Sequence, residues 1–268
     1  MTNLSLRRGL LALCLVIAGG APACAQHAAH GDKLADAPPG AVRVFASGSM
    51  RAPILTVRDQ IERATGRKLV VESSESRVLQ KEIEAGQPFE VALLTNAVIG
   101  DMTTKGHMVA GSAAQVSAVR IGVAYRGDAP RLDVSTPEGL TRAITGAHSI
   151  RRYFGVAAST PIVDNLFSEL KLADATGDRI VGLGEGPIPP EAPLARGQYE
   201  IIINLVSAVI PMKGWTYVGL IPEQYQRPVF HSAAIGTLGD HDAGDKILQI
   251  LKGKSFEDAL IANGSTRQ

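Results

Sequence analysis

Short apolar runs alternate with amphipathic segments along most of the chain, and this alternation predicts an α/β fold. In the first half, apolar runs predict strands at 42–46, 68–72 and 89–94. Each is followed by apolar positions at helical spacing, which predict helices at 52–65, 77–85 and 97–106. Short connections between alternating strands and helices favour mainly parallel sheets with helices on both faces.

The alternation restarts after a longer apolar run, VSAVRIGVAY at 116–125, which predicts one strand. Further strands are predicted at 149–154, 179–183, 199–206 and 217–220, with helices at 136–145 and 162–172. The run at 229–235 predicts a strand that returns to the first half of the protein. Two closing helices follow, at 243–251 and 255–261.

The N-terminus has the pattern of an export signal over residues 1–25. Arg7 and Arg8 precede the apolar run Gly9–Gly20, and small residues around Cys24 offer a cleavage site. The apolar run is shorter than the ~20 residues of a membrane-spanning helix. A buried helix, a lipoprotein site at Cys24 and a twin-arginine signal are alternatives. We therefore expect a periplasmic protein, with a flexible polar leader at 26–40.

Composition narrows the chemistry that the mature chain could carry. Both cysteines, Cys14 and Cys24, lie in the predicted signal, which leaves no thiol for a disulfide or a metal site. The net charge of +1 gives no electrostatic case for binding nucleic acid or a membrane surface. The chain has no phosphate-binding loop, no nucleophile elbow and no zinc-protease motif. We expect neither a cofactor nor a metal.

Three predicted turns share one position, at the end of a strand and the start of a helix. They are rich in hydroxyl groups, and their candidate ligand-binding residues are Ser47, Ser49, Ser74, Ser76, Ala158, Ser159 and Thr160. Helix N-termini present unpaired N–H groups and a partial positive charge, which suits anions. In an open α/β sheet such turns lie together at the carboxyl ends of the strands. Ordinary helix capping by serine and threonine is the alternative.

Two arginines begin the helices after the first two turns. Because the helix dipole disfavours a cation there, Arg51 and Arg77 suggest an anion nearby. Surface arginines in salt bridges are the alternative interpretation.

The segments VFASGSM, ESSESRVLQKEIEAG and VRIGVAYRGDAP resemble the periplasmic molybdate-binding proteins of ABC transporters, from about Val42 to Ile261. The resemblance implies a type II periplasmic binding protein fold, with two α/β lobes that have mainly parallel central sheets and are joined by two crossover strands. The first lobe would comprise 41–118 and 228–268, and the second 119–227. A monomer that binds a small anion and delivers it to a membrane permease is implied.

The resemblance also implies roles for individual residues. Ser49 and Ser76 match the family's two hydroxyl donors, and a backbone N–H near Ala158 or Ser159 matches a third donor. A family tyrosine is replaced by Asn204, which should widen the cleft. With the two arginines, this departure favours an anion larger than molybdate, such as a di- or tricarboxylate.

A divergent branch of the same fold includes an isomerase that interconverts trans- and cis-aconitate, and the segment at 195–225 resembles that branch as well. Moving a double bond by a 1,3 proton shift needs a base beside the methylene carbon. Glu75, between two turn serines, and Glu185 are the candidate catalytic bases. A solvated first-turn carboxylate is the alternative for Glu75. A binding protein and an isomerase therefore both remain open.

Overall fold

Two mixed β-sheets organise the chain in a computed structural model that describes residues 32–183 and 190–267. The strands are β1 (Val42–Ser47), β2 (Leu69–Ser74), β3 (Val91–Thr95), β4 (Ala114–Val119), β5 (Ile121–Gly127), β6 (Ser149–Tyr153), β7 (Ile180–Leu183), β8 (Tyr199–Leu205), β9 (Thr216–Leu220), β10 (Val229–Ile235) and β11 (Ser265–Arg267). The first sheet has the order β11-β4-β10-β3-β1-β2, and the second has the order β7-β6-β8-β5-β9.

Helices follow most strands and cover the sheets. They are α1 (Gly48–Thr56), α2 (Arg58–Thr65), α3 (Ser76–Glu84), α4 (Asn96–Thr104), α5 (Pro137–Gly146), α6 (Thr160–Glu169), α7 (Ala173–Thr176), α8 (Val206–Val209), α9 (His241–Leu251) and α10 (Lys254–Ala262). Short 3₁₀ helices occupy Leu34–Asp36, Gly177–Arg179 and Glu223–Tyr225. No helix of the described residues is long and apolar enough to cross a membrane.

Each sheet has a parallel centre of three strands, to which antiparallel strands are added. In the first sheet β1 pairs in parallel with β2 and β3, and in the second β6 pairs in parallel with β7 and β8. Strands of each parallel centre are followed in the chain by helices, as the alternating pattern of the sequence predicts. The predicted fold class, a type II periplasmic binding protein with two α/β lobes, is confirmed.

The chain crosses between the two sheets twice. It first crosses at Arg120, between β4 and β5, and it returns through 221–228, between β9 and β10. The predicted single strand at 116–125 is therefore wrong, because its two halves pair in different sheets. Val119 and Ile121 are both fully buried on either side of the crossing, so the apolar run continues through it unbroken.

One side chain joins the two crossings. Gln226, which is buried, accepts a hydrogen bond from the Ile121 N–H at 3.0 Å. Its amide nitrogen donates to the carbonyl groups of Ile121 and Ile221 at 2.7 and 3.1 Å. The two connections between the lobes are thereby held to each other by side-chain hydrogen bonds.

The predicted flexible leader at 26–40 needs a correction in its described part. Leu34 is buried against the first sheet, and its N–H donates to the carboxylate of Glu72 at 2.8 Å. Lys33 forms an ion pair with the same carboxylate at 2.5 Å. The packing of Leu34 and the two contacts with the Glu72 carboxylate therefore hold residues 33 and 34 against the first sheet. The predicted signal peptide, 1–25, lies outside the described residues.

Substituting Gln226 with leucine should destabilise the fold at the crossing. Leucine has a similar volume but removes the acceptor of the buried Ile121 N–H and the side-chain donor to the Ile221 carbonyl, while the Ile121 carbonyl keeps the Ile221 N–H at 3.2 Å. We expect the free energy of unfolding to fall by roughly 2 kcal/mol, measured by urea denaturation. The matched control is Gln224→Leu at an exposed position in the same segment. Equal stabilities of the two variants would contradict this role for Gln226.

Candidate functional site

The first two hydroxyl-rich turns lie side by side at one edge of the first sheet. Ser47 and Ser74 are the last residues of β1 and β2, and they are paired in the parallel register. Adjacent strands are ~4.8 Å apart, so the turns that follow are neighbours. Helices α1 and α3 both begin within these turns, which directs two helix N-termini to the same side.

The Ser49 side chain and backbone are held from several directions. Its Oγ lies 2.9 Å from Nε2 of the buried His231 on β10 and 3.1 Å from Oγ of Ser47. Pro53, within α1, has no N–H to donate to the carbonyl of Ser49. The side-chain amide of Asn263 donates to that carbonyl instead, at 2.9 Å. Ser49 is therefore fixed in position at the start of its helix.

Ser76 is oriented by the third strand of the parallel centre. Its hydroxyl oxygen accepts a hydrogen bond from the Thr95 N–H, at the end of β3, at 3.1 Å. Because the oxygen is the acceptor there, the hydroxyl hydrogen remains to be donated elsewhere. Ser47, the N-cap residue of α1, makes no side-chain capping bond. Ser76 bonds to β3 and not to its own helix. Neither serine therefore acts as an ordinary helix cap.

Glu75 reaches from the first lobe to the second. It is the N-cap residue of α3, but its side chain makes no capping bond to its own helix. Its carboxylate instead accepts a hydrogen bond from the backbone N–H of Ala158, in the third turn. Burial raises the pKa of Glu75, although the Ala158 N–H opposes that shift. The side chain is half-buried between the lobes and is not a solvated first-turn carboxylate.

Tyr153 belongs to the same cleft. It ends β6 in the second lobe, and its pKa is raised by burial and by the nearby negative charge of Glu75. The charge of Glu75, in the first lobe, therefore acts on the phenol of Tyr153, in the second lobe.

Unpartnered hydroxyl groups line the second lobe. Thr160, at the start of α6, and Ser207, in α8, are buried, and their hydroxyl oxygens find no hydrogen-bond partner among the described residues. Ser159 is also buried and makes no capping bond. Asn204, at the end of β8, is buried and accepts the Leu205 N–H through Oδ1 at 2.8 Å. Buried polar groups without partners are costly in proteins unless a ligand or water completes them.

The two arginines differ in their surroundings. Arg51 is half-buried, and its Nε lacks a partner within the described part of the chain. Arg77 is exposed and reaches Gln80 on its own helix at 3.5 Å. Neither forms an ion pair with the described residues, so the salt-bridge alternative has no support in these residues. Their predicted contact with an anion stays a prediction.

The loop predicted to carry the second candidate base is described only at its flank. Glu185 lies outside the described residues. At the flank, Arg126 donates to the carbonyl of Ala192 and Arg151 donates to that of Pro190, at 2.8 and 2.9 Å. Both arginines also pair with Glu200, which is buried in the second sheet. The end of the loop is thus anchored to the second lobe.

Sequence reasoning missed three residues of the site: His231, Tyr153 and Ser207. His231 sits inside an apolar strand, far from the turns in sequence, and nothing local marks it. Tyr153 and Ser207 could have been found, because each lies at the carboxyl end of a predicted strand of the second lobe, where the other candidates were sought.

The described residues contain no group of three or more metal-ligating side chains close enough to hold an ion.

A groove of about 630 Å³ lies away from the turns, between Arg120, 131–135 and 218–223. Its position is set by the loop before α5 and by the β9 edge, and it includes none of the predicted site residues. The candidate site at the turns is therefore separate from this groove, and the contact between Glu75 and Ala158 links its two lobes.

Acid should destabilise the protein through His231. Burial lowers the pKa of His231 from 6.5 to about 4. Because the unfolded chain takes up the proton first, stability is full above pH 6.5 and falls as the pH drops toward 4. The loss is on the order of 3 kcal/mol. Urea denaturation should show that His231→Gln lacks this part of the pH dependence, whereas His148→Gln, at an exposed site, retains it.

The raised pKa of Glu75 predicts the opposite pH dependence, a loss of stability as the pH rises. A carboxyl whose pKa is raised by burial favours the fold at low pH, and this contribution is lost as the pH rises through that pKa. Glu75→Gln keeps an oxygen for the Ala158 N–H and removes the buried charge. The Tm of the ligand-free variant should exceed that of the original protein at pH 7.5, and the difference should disappear near pH 4. A lower Tm at both pH values would argue against a desolvated Glu75.

Comparison with known proteins agrees with this geometry. Residues 42–265 match the family described as bacterial extracellular solute-binding protein. An aconitate isomerase from a Pseudomonas species is 25% identical over 240 residues, which are 86% of this chain and 89% of that protein.

Two solved structures share the fold. One is a periplasmic molybdate-binding protein from Azotobacter vinelandii, with a TM-score of 0.67 and 17% identity, over 84% of this chain and 98% of that one. The other is a tungstate-binding protein from Desulfovibrio alaskensis G20, with a TM-score of 0.57 and 12% identity, over 85% and 99%. With two lobes joined by two crossings and a cleft between them, the chain belongs to the bacterial extracellular solute-binding protein family.

Proposed function

We propose that the protein captures a small anion that carries carboxylate groups, in the cleft between its lobes. The hydroxyl groups of Ser49, Ser76 and Thr160 would supply donors, together with the N-termini of α1, α3 and α6, in whose first turns they lie. Such termini bind anions through unpaired N–H groups and the helix dipole. The unpartnered Thr160 and Ser207 hydroxyl groups support a ligand on the second lobe as well.

The observation that carries the choice of ligand is the position of Glu75. Its carboxyl occupies the N–H of Ala158, which is a donor that a compact oxyanion would need. A dianion such as molybdate, held only by neutral donors, would be repelled by a carboxylate beside it. A di- or tricarboxylate is longer, so it can place its charged ends on the serines and its hydrocarbon part against Glu75.

Capture for transport is the role that the family supports. In that role the lobes close on the anion, and the closed form delivers it to an ABC-type permease in the inner membrane. The export signal predicted at 1–25 would place a monomeric receptor in the periplasm, where such a permease collects its solute. Binding alone requires no base in the cleft.

A second candidate function, isomerisation of trans- and cis-aconitate, is favoured by one specific observation. Glu75 has a raised pKa and lies within the cleft beside Tyr153. As a base, its carboxylate would take a proton from the methylene carbon while the double bond shifts and a dienolate forms. The same proton, returned to the other end of the three-carbon unit, completes a 1,3 shift without any other reactant. The aconitate isomerase relative supports this alternative.

Ligand class is tested with the chain from residue 26 onward. Thermal-shift and calorimetric titrations should compare molybdate, tungstate and sulfate with citrate, tricarballylate and trans-aconitate. A ligand at 100 times its Kd stabilises the fold by about 2.7 kcal/mol, which raises Tm by several degrees. We expect the carboxylates to raise Tm and the oxyanions to have little effect. Stabilisation by molybdate or tungstate alone would contradict the proposed ligand class.

Turnover separates the two candidate functions. Proton NMR of the protein with trans-aconitate would show cis-aconitate if the protein is an isomerase. In that case Glu75→Gln should reduce kcat at least 100-fold, because the base is lost while the carboxylate contacts remain. Glu138→Gln, an exposed carboxyl in the first turn of α5, is the matched control. Binding without turnover would leave the receptor function and remove the isomerase.

A further inference from the structure

His231 is a buried polar side chain within the first sheet. It lies on β10, paired with Thr95 of β3 on one side and with Ser117 of β4 on the other. Only 1% of its surface is exposed. Its Nε2 lies 2.9 Å from Oγ of Ser49, and its Nδ1 has no partner among the described residues. Burying a polar ring with one nitrogen unpartnered costs folding free energy. The single hydrogen bond to Ser49 therefore suggests that the ring has a role at the turn.

The missing partner of Nδ1 decides which ring nitrogen carries the hydrogen. A neutral imidazole has one N–H donor and one acceptor nitrogen. With the hydrogen on Nδ1, a donor would be buried without a partner. Among backbone groups, buried N–H groups without a partner are rarer than carbonyls with an unused lone pair, and we extend that preference to the ring. The hydrogen therefore belongs on Nε2, where it is donated to Oγ of Ser49.

This tautomer sets the direction of the hydrogen bonds around Ser49. Because Oγ of Ser49 accepts from His231, its own hydrogen cannot be given to that ring. The neighbouring hydroxyl of Ser47, at 3.1 Å, can donate to the second lone pair of the same oxygen. The hydrogen of Ser49 is then left for the cleft. In the other tautomer, Ser49 would donate to His231 and offer the cleft only lone pairs, which repel an anion.

We propose that His231 is a positioning residue, which keeps the hydroxyl hydrogen of Ser49 directed at the anion in the cleft. The inference rests on the proposed binding of an anion at Ser49, and it adds a residue that does not itself touch the ligand. It assigns the buried imidazole a function in donor direction, and the neutral ring adds no charge to the site.

The first test is spectroscopic and uses the ligand-free protein. Long-range proton–nitrogen correlation spectra of the ¹⁵N-labelled chain distinguish a protonated ring nitrogen from an unprotonated one. We expect the resonances of His231, assigned by their absence from His231→Gln, to show hydrogen on Nε2 at pH 7. Hydrogen on Nδ1 would overturn the proposal, whether or not an anion binds.

The second test measures affinity by calorimetry, with the carboxylate that binds best. His231→Leu should weaken binding about tenfold, because the Ser49 hydroxyl loses its orientation. His231→Gln places an amide N–H near the same point and should recover most of the affinity. In a Ser49→Ala background, the substitution of His231 should have no further effect, which a purely structural role would not produce.

Outcomes separate the two levels of the argument. If no anion binds the unaltered chain, the proposed function fails, and the tautomer still decides the assignment of His231. If the unaltered chain binds an anion and His231→Leu folds and binds equally well, the positioning role is wrong while the proposed function stands. Equal losses from His231→Leu with and without Ser49 would also overturn the role.

Discussion

The hydrogen bond from the Ala158 N–H to the Glu75 carboxyl is the contact on which the organisation of the site depends. It joins the second turn of the first lobe to the third turn, which belongs to the second lobe. The two crossings held together by Gln226 connect the lobes, and this bond adds a contact between them within the candidate site. The same bond places a titratable carboxyl, whose charged form is disfavoured by burial, among donors suited to anions.

The first lobe supplies rigid donors, because each serine is held by atoms from a different part of the chain. His231 and Asn263 come from the last 40 residues or so, yet they fix Ser49 at the start of α1. Thr95 fixes Ser76. The second lobe instead offers hydroxyl groups at Thr160 and Ser207 that have no partners within the described residues. An anion would thus contact donors of the first lobe that are already oriented. In the second lobe it would provide hydrogen-bond partners for hydroxyl groups that have none among the described residues.

Much of this arrangement could be predicted from the sequence, since it follows from local patterns. Alternating apolar runs and helix spacing predicted the parallel centres of both sheets, and the turns containing Ser49 and Ser76 follow from the ends of β1 and β2. The crossing at Arg120 could not be predicted from periodicity, because Val119 and Ile121 are equally apolar on either side. A local pattern gives no information on which sheet each half joins.

Other features depend on contacts between distant parts of the chain. The position of His231 behind Ser49 depends on how β10 enters the sheet between β3 and β4. The direction of the Glu75 side chain depends on the second lobe, because its partner is a backbone N–H at Ala158. The sequence could name Glu75 as a candidate base, but only the folded chain shows that it faces the cleft.

The central claim is that an anion with carboxylate groups is held between the serine turns and Glu75. A crystal structure of the chain from residue 26 onward with trans-aconitate or tricarballylate tests it most directly. The account predicts a carboxylate within hydrogen-bonding distance of the Ser49 and Ser76 hydroxyl groups, with the hydrocarbon part of the ligand facing Glu75. A ligand bound in the groove beside Arg120 and Arg131, with the serine turns unliganded, would contradict it.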